Sequence, residues 1–241
     1  MRYNVAAGQT YAYDCSVTVE GITGLKIGGQ TRNMDTRADG KIGMVMKIRE
    51  ITPRDTALIE TLFDVFSLKS STLGQTTYLP QSAGLKGKKI VVEMDRRGKL
   101  TKLEAPAFKI PDMFLSTDSL MEGVLSSLPE ADIQPEQKWE TIKRIPLPQG
   151  GSINAVATCT FKGMVNVDGT DYYKVDSIID IPLNKEKYAV ISSTLHDTVS
   201  MMPVRVDSTT KVVIKNADPN ADGATSTDMD IKTTMTQRKK L

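Results

Sequence analysis

Residues 108–139, FKIPDMFLSTDSLMEGVLSSLPEADIQPEQKW, decide how the rest of this chain is interpreted. Ser119 and Glu122 have the spacing of a capping box at the start of a helix, and Pro129 disfavours helix at the residue before it. The pattern therefore predicts a short helix over residues 117–128. The apolar side chains that fall on one face of this helix are Leu120, Met121, Val124, Leu125 and Leu128.

A helix of about three turns is marginal alone in water, so the predicted helix needs a surface to pack against. The flanking halves, residues 1–107 and 139–241, supply β-strand patterns. In TYAYDCSVTVEG, residues 10–21, apolar or aromatic side chains alternate with polar ones from Tyr11 to Val19. This period of two predicts a half-buried antiparallel strand.

Turn signals divide both halves into strands. The stretch KKIVVEMDRRGKLTKLE, residues 88–104, predicts a hairpin in which Gly98 supplies the positive φ of the turn. Asp168 and Gly169 predict a turn in the second half, and residues 201–203, Met-Met-Pro, predict a break between two strands.

Two segments of the first half are less regular. Residues 21–29 are rich in glycine and predict a loop, followed by a short polar strand over residues 31–36 that turns at residues 37–40. Residues 52–68 admit either the second strand of a hairpin or a helix that begins at Thr52 and Pro53. The hairpin is favoured because Thr, Phe and Val alternate along this segment and prefer strands.

These patterns predict a mostly β (α+β) fold: a large curved antiparallel sheet or half-barrel, with the helix of residues 117–128 packed on its concave face. The chain is expected to form a single domain over residues 1–241. In this prediction the halves 1–107 and 139–241 build one sheet, and residues 108–138 bridge them.

Composition excludes several classes of function. The 241 residues carry a formal net charge of +2, so no global field favours nucleic acid. Aromatic residues are only 5% of the chain, which leaves few platforms on which bases could stack. No apolar run approaches the roughly 20 residues needed to span a bilayer. The sequence predicts neither a nucleic-acid partner nor a transmembrane segment.

The sequence offers few residues that could support catalysis or redox chemistry. His196 is the only histidine, and in a predicted strand it and its neighbour Asp197 point to opposite faces of the sheet. The His196 side chain is predicted to face solvent. A zinc site and a catalytic triad are therefore not expected, and the chain is predicted not to be an enzyme. Cys15 and Cys159 each lie within a predicted strand, and they are either two buried thiols or a disulfide between the halves.

One loop has the spacing of calcium ligands. Oxygen donors at alternate positions precede Gly223, as at the opening of a calcium-binding loop. The twelfth position, where a bidentate glutamate is expected, is Met229, so a polar hairpin loop explains the same residues. No cofactor is predicted, with calcium as the alternative. The candidate ligands are Asp218, Asn220 and Asp222, with Asp228 or Asp230 as substitutes for the glutamate.

Several landmarks resemble secreted bacterial domains related to the lipoprotein carriers LolA and LolB. The resemblance implies a curved antiparallel sheet wrapped around helical segments, with an apolar concavity that holds acyl chains in the carriers. It implies no catalytic residues. The landmarks are the Gly-x-x-Tyr strand at Gly8–Tyr11, the hairpin Val92–Lys99, the pair Leu128-Pro129 and the Trp139 that starts the second half.

The cellular location is predicted from the N-terminal sequence and the overall composition. The N-terminus lacks the charged and apolar regions of a signal peptide, which fits either a cytosolic protein or a mature secreted one. The Thr-, Ser-, Asp- and Gly-rich β pattern favours an extracytoplasmic protein, periplasmic or lipid-anchored in the cell envelope.

Two functions follow from these expectations. The first is binding of an apolar or lipid-like ligand in the concavity of the sheet, for which the twelve methionines supply adaptable surface. The second is a structural or protein-interaction domain of the envelope with a filled core and no small ligand. Residues predicted to line the pocket, or to plug it, are Leu120, Met121, Val124, Leu125, Leu128 and Trp139.

Overall fold

The computed structural model describes residues 1–27, 30–72, 75–78, 86–104, 125, 127–146, 152–183, 186–215 and 223–238. Within these residues every strand pairing is antiparallel, which confirms the mostly β prediction. The strands are β1 Thr10–Ile27, β2 Gln30–Ile51, β3 Ala57–Thr72, β4 Gln75–Tyr78, β5 Lys89–Met94, β6 Leu100–Glu104, β7 Lys138–Pro146, β8 Ser152–Val167, β9 Thr170–Leu183, β10 Glu186–Asp197, β11 Pro203–Lys215 and β12 Gly223–Gln237.

All of the described strands belong to one sheet. Its order is β6-β5-β3-β2-β1-β12-β11-β10-β9-β8-β7, with β4 paired to β3. Each half of the chain is a meander of neighbouring strands, and the pairing of β1 with β12 joins the two meanders. This pairing begins at Tyr13 opposite Gln237 and ends at Lys26 opposite Gly223. The first and the last of the described strands therefore lie side by side in the middle of the sheet.

The loop predicted at residues 21–29 is wrong at its described residues, 21–27, which belong to β1. The short strand predicted at residues 31–36 and the turn predicted at residues 37–40 are also wrong, because both lie within the longer strand β2. β1 and β2 form one long hairpin whose register runs without a break from Thr10 to Ile27. Gly21 lies within β1, paired with Met229 of β12 and Thr36 of β2. A Cβ atom at this position would collide with the carbonyl oxygen of Asp228 in β12. This glycine marks a close approach of two strands rather than a loop.

The hairpin favoured for residues 52–68 is confirmed. β2 ends at Ile51 and β3 begins at Ala57. Between them Asp55 has a φ of 60°, and its N–H donates to the carbonyl of Thr52 over 2.9 Å. The predicted turns at Gly98 and Asp168-Gly169 and the break before Pro203 are also present.

The helix predicted over residues 117–128 is not found at the described residues of that range. Leu125, Ser127 and Leu128 are not helical, and the other residues of the range lie outside the described part of the chain. The N–H of Leu128 donates to the carbonyl of Arg97 over 2.7 Å. In a helix it would donate to the residue four positions earlier, so the turn between β5 and β6 takes the place of the helical partner.

The main core lies against one side of the sheet, which we call the apolar face. This face carries Tyr11, Tyr13 and Cys15 of β1 together with the residues paired with them across the sheet. At one end of the face, where β1 begins and β2 ends, strand residues such as Phe63 are 0% exposed. Residues outside the strands complete this cluster, and they are Tyr3, Val5, Leu125, Leu128, Met201 and Met202.

Candidate functional site

One end of the apolar face, here called the capped end, is covered by segments that are not strands. The N–H of Tyr3 donates to the carbonyl of Arg96 over 2.7 Å, and the N–H of Asn4 donates to the carbonyl of Ser200 over 2.9 Å. The N–H of Leu128 reaches Arg97 in the same turn. Backbone hydrogen bonds therefore tie the N-terminal arm, the β5–β6 turn, residues 127–129 and the turn after β10 into one cap.

Two of the sequence-predicted site residues lie in this cap. Leu125 is 1% exposed and Leu128 is 5% exposed, and both pack in the main core cluster. The other three predicted helix residues, Leu120, Met121 and Val124, lie outside the described residues. The assignment of these side chains to a ligand pocket or to a plug stays a prediction.

The sixth predicted residue, Trp139, connects the cap to the second half of the sheet. Its indole N–H donates to the carbonyl of Ser127 over 3.0 Å. Its ring packs against a smaller cluster on the apolar face formed by β8 and β9. Met1 of the N-terminal arm packs against both this cluster and the main core. The buried members of the smaller cluster are Cys159, Phe161 and Val175.

The other end of the apolar face, here called the open end, is the candidate ligand surface. It is the end where β1 finishes and β2 starts, and its aliphatic side chains are partly exposed rather than buried. The register places them in neighbouring positions across five strands. They are Val17 and Val19 of β1, Met229 and Ile231 of β12, Val212 of β11, Val190 of β10 and Ile179 of β9.

A row of small hydroxyl side chains separates the two ends on the C-terminal half of the sheet. Thr233, Ser208, Ser192 and Ser177 occupy paired positions on neighbouring strands. The hydroxyls of Ser177 and Ser192 lie 2.8 Å apart and share a hydrogen bond. Sequence reasoning missed this row, because only the register between strands shows that the four residues are aligned.

The prediction that His196 faces solvent is wrong. Its side chain is 0% exposed, and Nδ1 lies 2.8 Å from the carbonyl oxygen of Met201. Nε2 has no hydrogen-bond partner among the described residues, and the same holds for the buried hydroxyl of Tyr13. Burial lowers the pKa of His196 to about 4, although the hydrogen bond to Met201 acts in the opposite direction.

The side chain of Asp197 stabilises the turn that follows β10. Its Oδ1 accepts hydrogen bonds from the N–H groups of Val199 and Ser200 and from the Ser200 hydroxyl. These contacts fold the turn back so that Met201 and Met202 enter the core. The arrangement gives this carboxylate a structural role in the cap.

Both cysteines are free thiols, which is the first of the two sequence alternatives. Cys159 is buried and Cys15 is partly buried. Burial raises the pKa of each thiol to about 11, so neither is a ready nucleophile at neutral pH.

The side of the sheet opposite the apolar face, which we call the outer face, carries charges over β11, β12, β1 and β2. A depression of about 540 Å³ here includes Asp228 and Asp230, the two residues considered as substitute calcium ligands. Nζ of Lys211 lies 3.5 Å from Oδ1 of Asp228, and Nη1 of Arg37 lies 3.4 Å from Oε1 of Glu20. The described residues hold no group of three or more potential metal-binding side chains. The predicted ligands Asp218, Asn220 and Asp222 lie outside these residues.

Comparison with solved structures relates the fold to a lipid-associated protein. The chain superposes on the structure reported as "Lipid-protein interactions in lipovitellin" with a TM-score of 0.59 and 12% identity, over 98% of this chain and 25% of that one. The chain thus spans about a quarter of the lipovitellin chain that it matches. At this identity the likeness is one of fold.

A second match is a DUF1329 family protein from Desulfovibrio piger ATCC 29098. Its TM-score is 0.28 and its identity 11%, over 96% of this chain and 85% of that one. A score this low carries no argument, so the resemblance to LolA and LolB stays a prediction. No family model and no curated protein sequence match the chain. Among the described residues, no helix has the length and apolar character needed to cross a membrane.

Proposed function

We propose that this protein binds an apolar or lipid-like ligand against the open end of the apolar face. The observation that carries the proposal is the contrast within that face. Side chains from three non-strand segments bury its capped end, whereas aliphatic side chains such as Val19, Val190 and Ile231 remain partly exposed at the other end. Partly exposed aliphatic surface beside a filled core suits a ligand that is itself apolar.

The fold comparison supports this proposal. Lipovitellin is a protein whose lipid–protein interactions were studied, and its superposition covers nearly all of this chain. The proposed ligand class is the same, and the proposed role is a carrier or sensor rather than an enzyme. In this proposal Leu125 and Leu128 form the plug that closes the capped end, and the protein works outside the cytoplasm.

A direct test is native mass spectrometry of the full chain after purification without detergent. We expect adducts with the masses of lipids, which solvent extraction removes. The extracted protein should then bind a fluorescent long-chain fatty acid whose emission rises in apolar surroundings. A chain that carries no adduct and does not bind this probe would overturn the proposal.

Neighbouring residues of β10 provide a matched pair of variants. Val190 lies on the apolar face and Ile191 on the outer face, where it is 56% exposed. Val190→Lys places a charge in the proposed ligand surface and is expected to weaken binding of the probe at least tenfold, whereas Ile191→Lys should leave it unchanged. Circular dichroism shows whether each variant folds. Equal effects of the two variants would contradict this location for the site.

The alternative is a structural or protein-interaction domain with a filled core. It is favoured by aliphatic side chains on the outer face, among which Ile142 is 70% exposed. The mass-spectrometry experiment separates the two functions, because an interaction domain carries no lipid. Fractionation of cells that express the native gene tests the extracytoplasmic location.

A further inference from the structure

β7 lies at one end of the strand order, and within the described residues it pairs only with β8. The N–H of Phe161 donates to the carbonyl of Gln137 over 3.0 Å, just before the strand begins. Hydrogen-bonded and non-hydrogen-bonded pairs alternate along an antiparallel ladder. Odd-numbered residues of β7 therefore bond to β8, and the N–H and C=O groups of even-numbered residues point to the edge of the sheet.

Two aliphatic side chains are exposed on the outer face beside this edge. Ile142 stands at the middle of β7 and is 70% exposed. Its cross-strand partner on β8 is Val156, which is 45% exposed. Two exposed aliphatic side chains paired across a sheet edge are a hazard for a protein that stays alone. When another strand continues the sheet, these side chains are buried and stabilise the pairing.

We propose that a second copy of this chain continues the sheet, with the two β7 strands antiparallel about a two-fold axis at Ile142. In this register Glu140 of each copy stands opposite Arg144 of the other, so the axis generates two pairs of opposite charge. Thr141 stands opposite Lys143. The outer face then carries an unbroken row of aliphatic residues, namely Val156 and Ile142 of one copy followed by Ile142 and Val156 of the other.

The charges along β7 select this axis among its neighbours. An axis at Thr141 places Lys138 opposite Arg144, and an axis at Glu140 places two carboxylates together. An axis at Lys143 places the two Lys143 residues opposite each other, and an axis at Arg144 does the same for the two arginines. Like charges at directly opposed positions destabilise a strand pair. The proposed axis alone among these five opposes unlike charges without opposing like ones.

Hydrogen-bond direction excludes the registers whose axis falls between two residues. An axis between two residues would oppose an even-numbered residue to an odd-numbered one. The N–H and C=O groups of the even residue point to the seam, whereas those of the odd residue are already bonded to β8. An axis at Ile142 pairs even residues with even residues, which is the pattern of a regular antiparallel ladder.

Sedimentation of the full chain over a range of concentrations tests the dimer. We expect reversible dimers in the unmodified protein and monomers in Ile142→Lys, in which two like charges meet at the axis. Because Ile142 is mostly exposed, the variant should fold normally, as circular dichroism will show. Ile191→Lys, on the same face but three strands from the edge, serves as the control and should dimerise normally.

A charge exchange tests the register. Glu140→Arg should raise the dimer dissociation constant about tenfold, because both symmetric pairs become repulsive. Adding Arg144→Glu should restore the original constant. A monomer at every concentration, a dimer that Ile142→Lys leaves intact, or a double variant as weak as Glu140→Arg would each overturn the proposal.

Cross-linking gives an independent readout of the axis. Facing Cα atoms in a hydrogen-bonded pair lie about 5.5 Å apart, a distance that a disulfide can bridge. Ile142→Cys should therefore form a covalent dimer under mild oxidation. Val199→Cys, in the exposed turn after β10, is the control and should stay monomeric on a non-reducing gel. Failure of the first variant to cross-link would contradict an axis at this residue.

Discussion

Tyr13 and Val19 lie six residues apart on the same face of the same strand, yet their surroundings differ. Tyr13 is 0% exposed under the cap, whereas Val19 is partly exposed at the open end. The strand pattern is identical at both positions. Burial on this sheet therefore depends on which non-strand segments reach each end. The capped end supplies stability, and the open end is the surface proposed to bind a ligand.

The largest expected effect is at the capped end. Phe63→Ala removes a fully buried ring from the core and should lower the free energy of unfolding by about 3–5 kcal/mol. Val19→Ala, at the open end, should cost about 1 kcal/mol, because that side chain is partly exposed. Urea unfolding followed by circular dichroism measures both. Similar losses would erase the distinction between the two ends.

A second expected effect is the pH dependence of the cap. The pKa of His196 is about 4 in the folded chain against 6.5 for a free imidazole, so the unfolded chain binds a proton that the folded chain does not. As pH falls from 6.5 toward 4, the free energy of unfolding should drop by up to about 3 kcal/mol from this group. His196→Gln removes the titration.

The measurement is urea unfolding of both proteins across that pH range. Because His196 is the sole histidine, the difference between the two curves isolates one group from the carboxylates. The variant should lose less stability on acidification than the unmodified protein. Parallel curves would mean that the imidazole is solvated or already paired in the native state.

The smallest effect concerns two glycines of β2, Gly43 on the outer face and Gly40 on the apolar face. A Cβ atom at Gly43 would collide with Nη2 of Arg238 and with Oδ1 of Asp64. Those two side chains form an ion pair at 2.6 Å, and hydrogen bonds from the arginine lower the pKa of Asp64. Gly43→Ala must displace this pair and should cost about 1–3 kcal/mol.

Gly40 is the matched control, three residues earlier in β2. A Cβ atom there would lie 3.4 Å from Cδ1 of Leu68 and 3.7 Å from Cβ of Val17, which are ordinary contacts. Gly40→Ala should change the free energy of unfolding by no more than about 0.5 kcal/mol. If both variants unfold at the same urea concentration, the ion pair of Arg238 does not constrain the strand.

The sequence predicted features that depend on neighbouring residues. The alternation from Tyr11 to Val19 located β1, and the turn residues at Gly98 and Thr52–Asp55 located two hairpins. It failed where distant residues decide the structure. Gly21 belongs to a strand because it pairs with Met229 of β12, and no local pattern predicts a pairing with so distant a residue.

The assignment of Leu125 and Leu128 to a ligand site stays a prediction, and the sequence indicates only that these side chains are apolar. Both are buried. His196 was assigned to solvent because alternation says which face a residue takes but not what covers that face. Here the carbonyl of Met201, five residues later, accounts for its polar contact. The register that aligns Ser177 with Ser192 is likewise a property of the sheet.

The central pairing of β1 with β12 has a consequence for synthesis. Tyr13 and Gln237 are opposite each other although 224 positions separate them, so this contact forms only after synthesis has passed β12. Until then one edge of β1 lacks its native partner while its aromatic residues emerge from the ribosome. Closing so long a loop is slow, and open strand edges invite aggregation. Folding yield should therefore fall more steeply with truncation near Gln237 than the small loss of core would indicate.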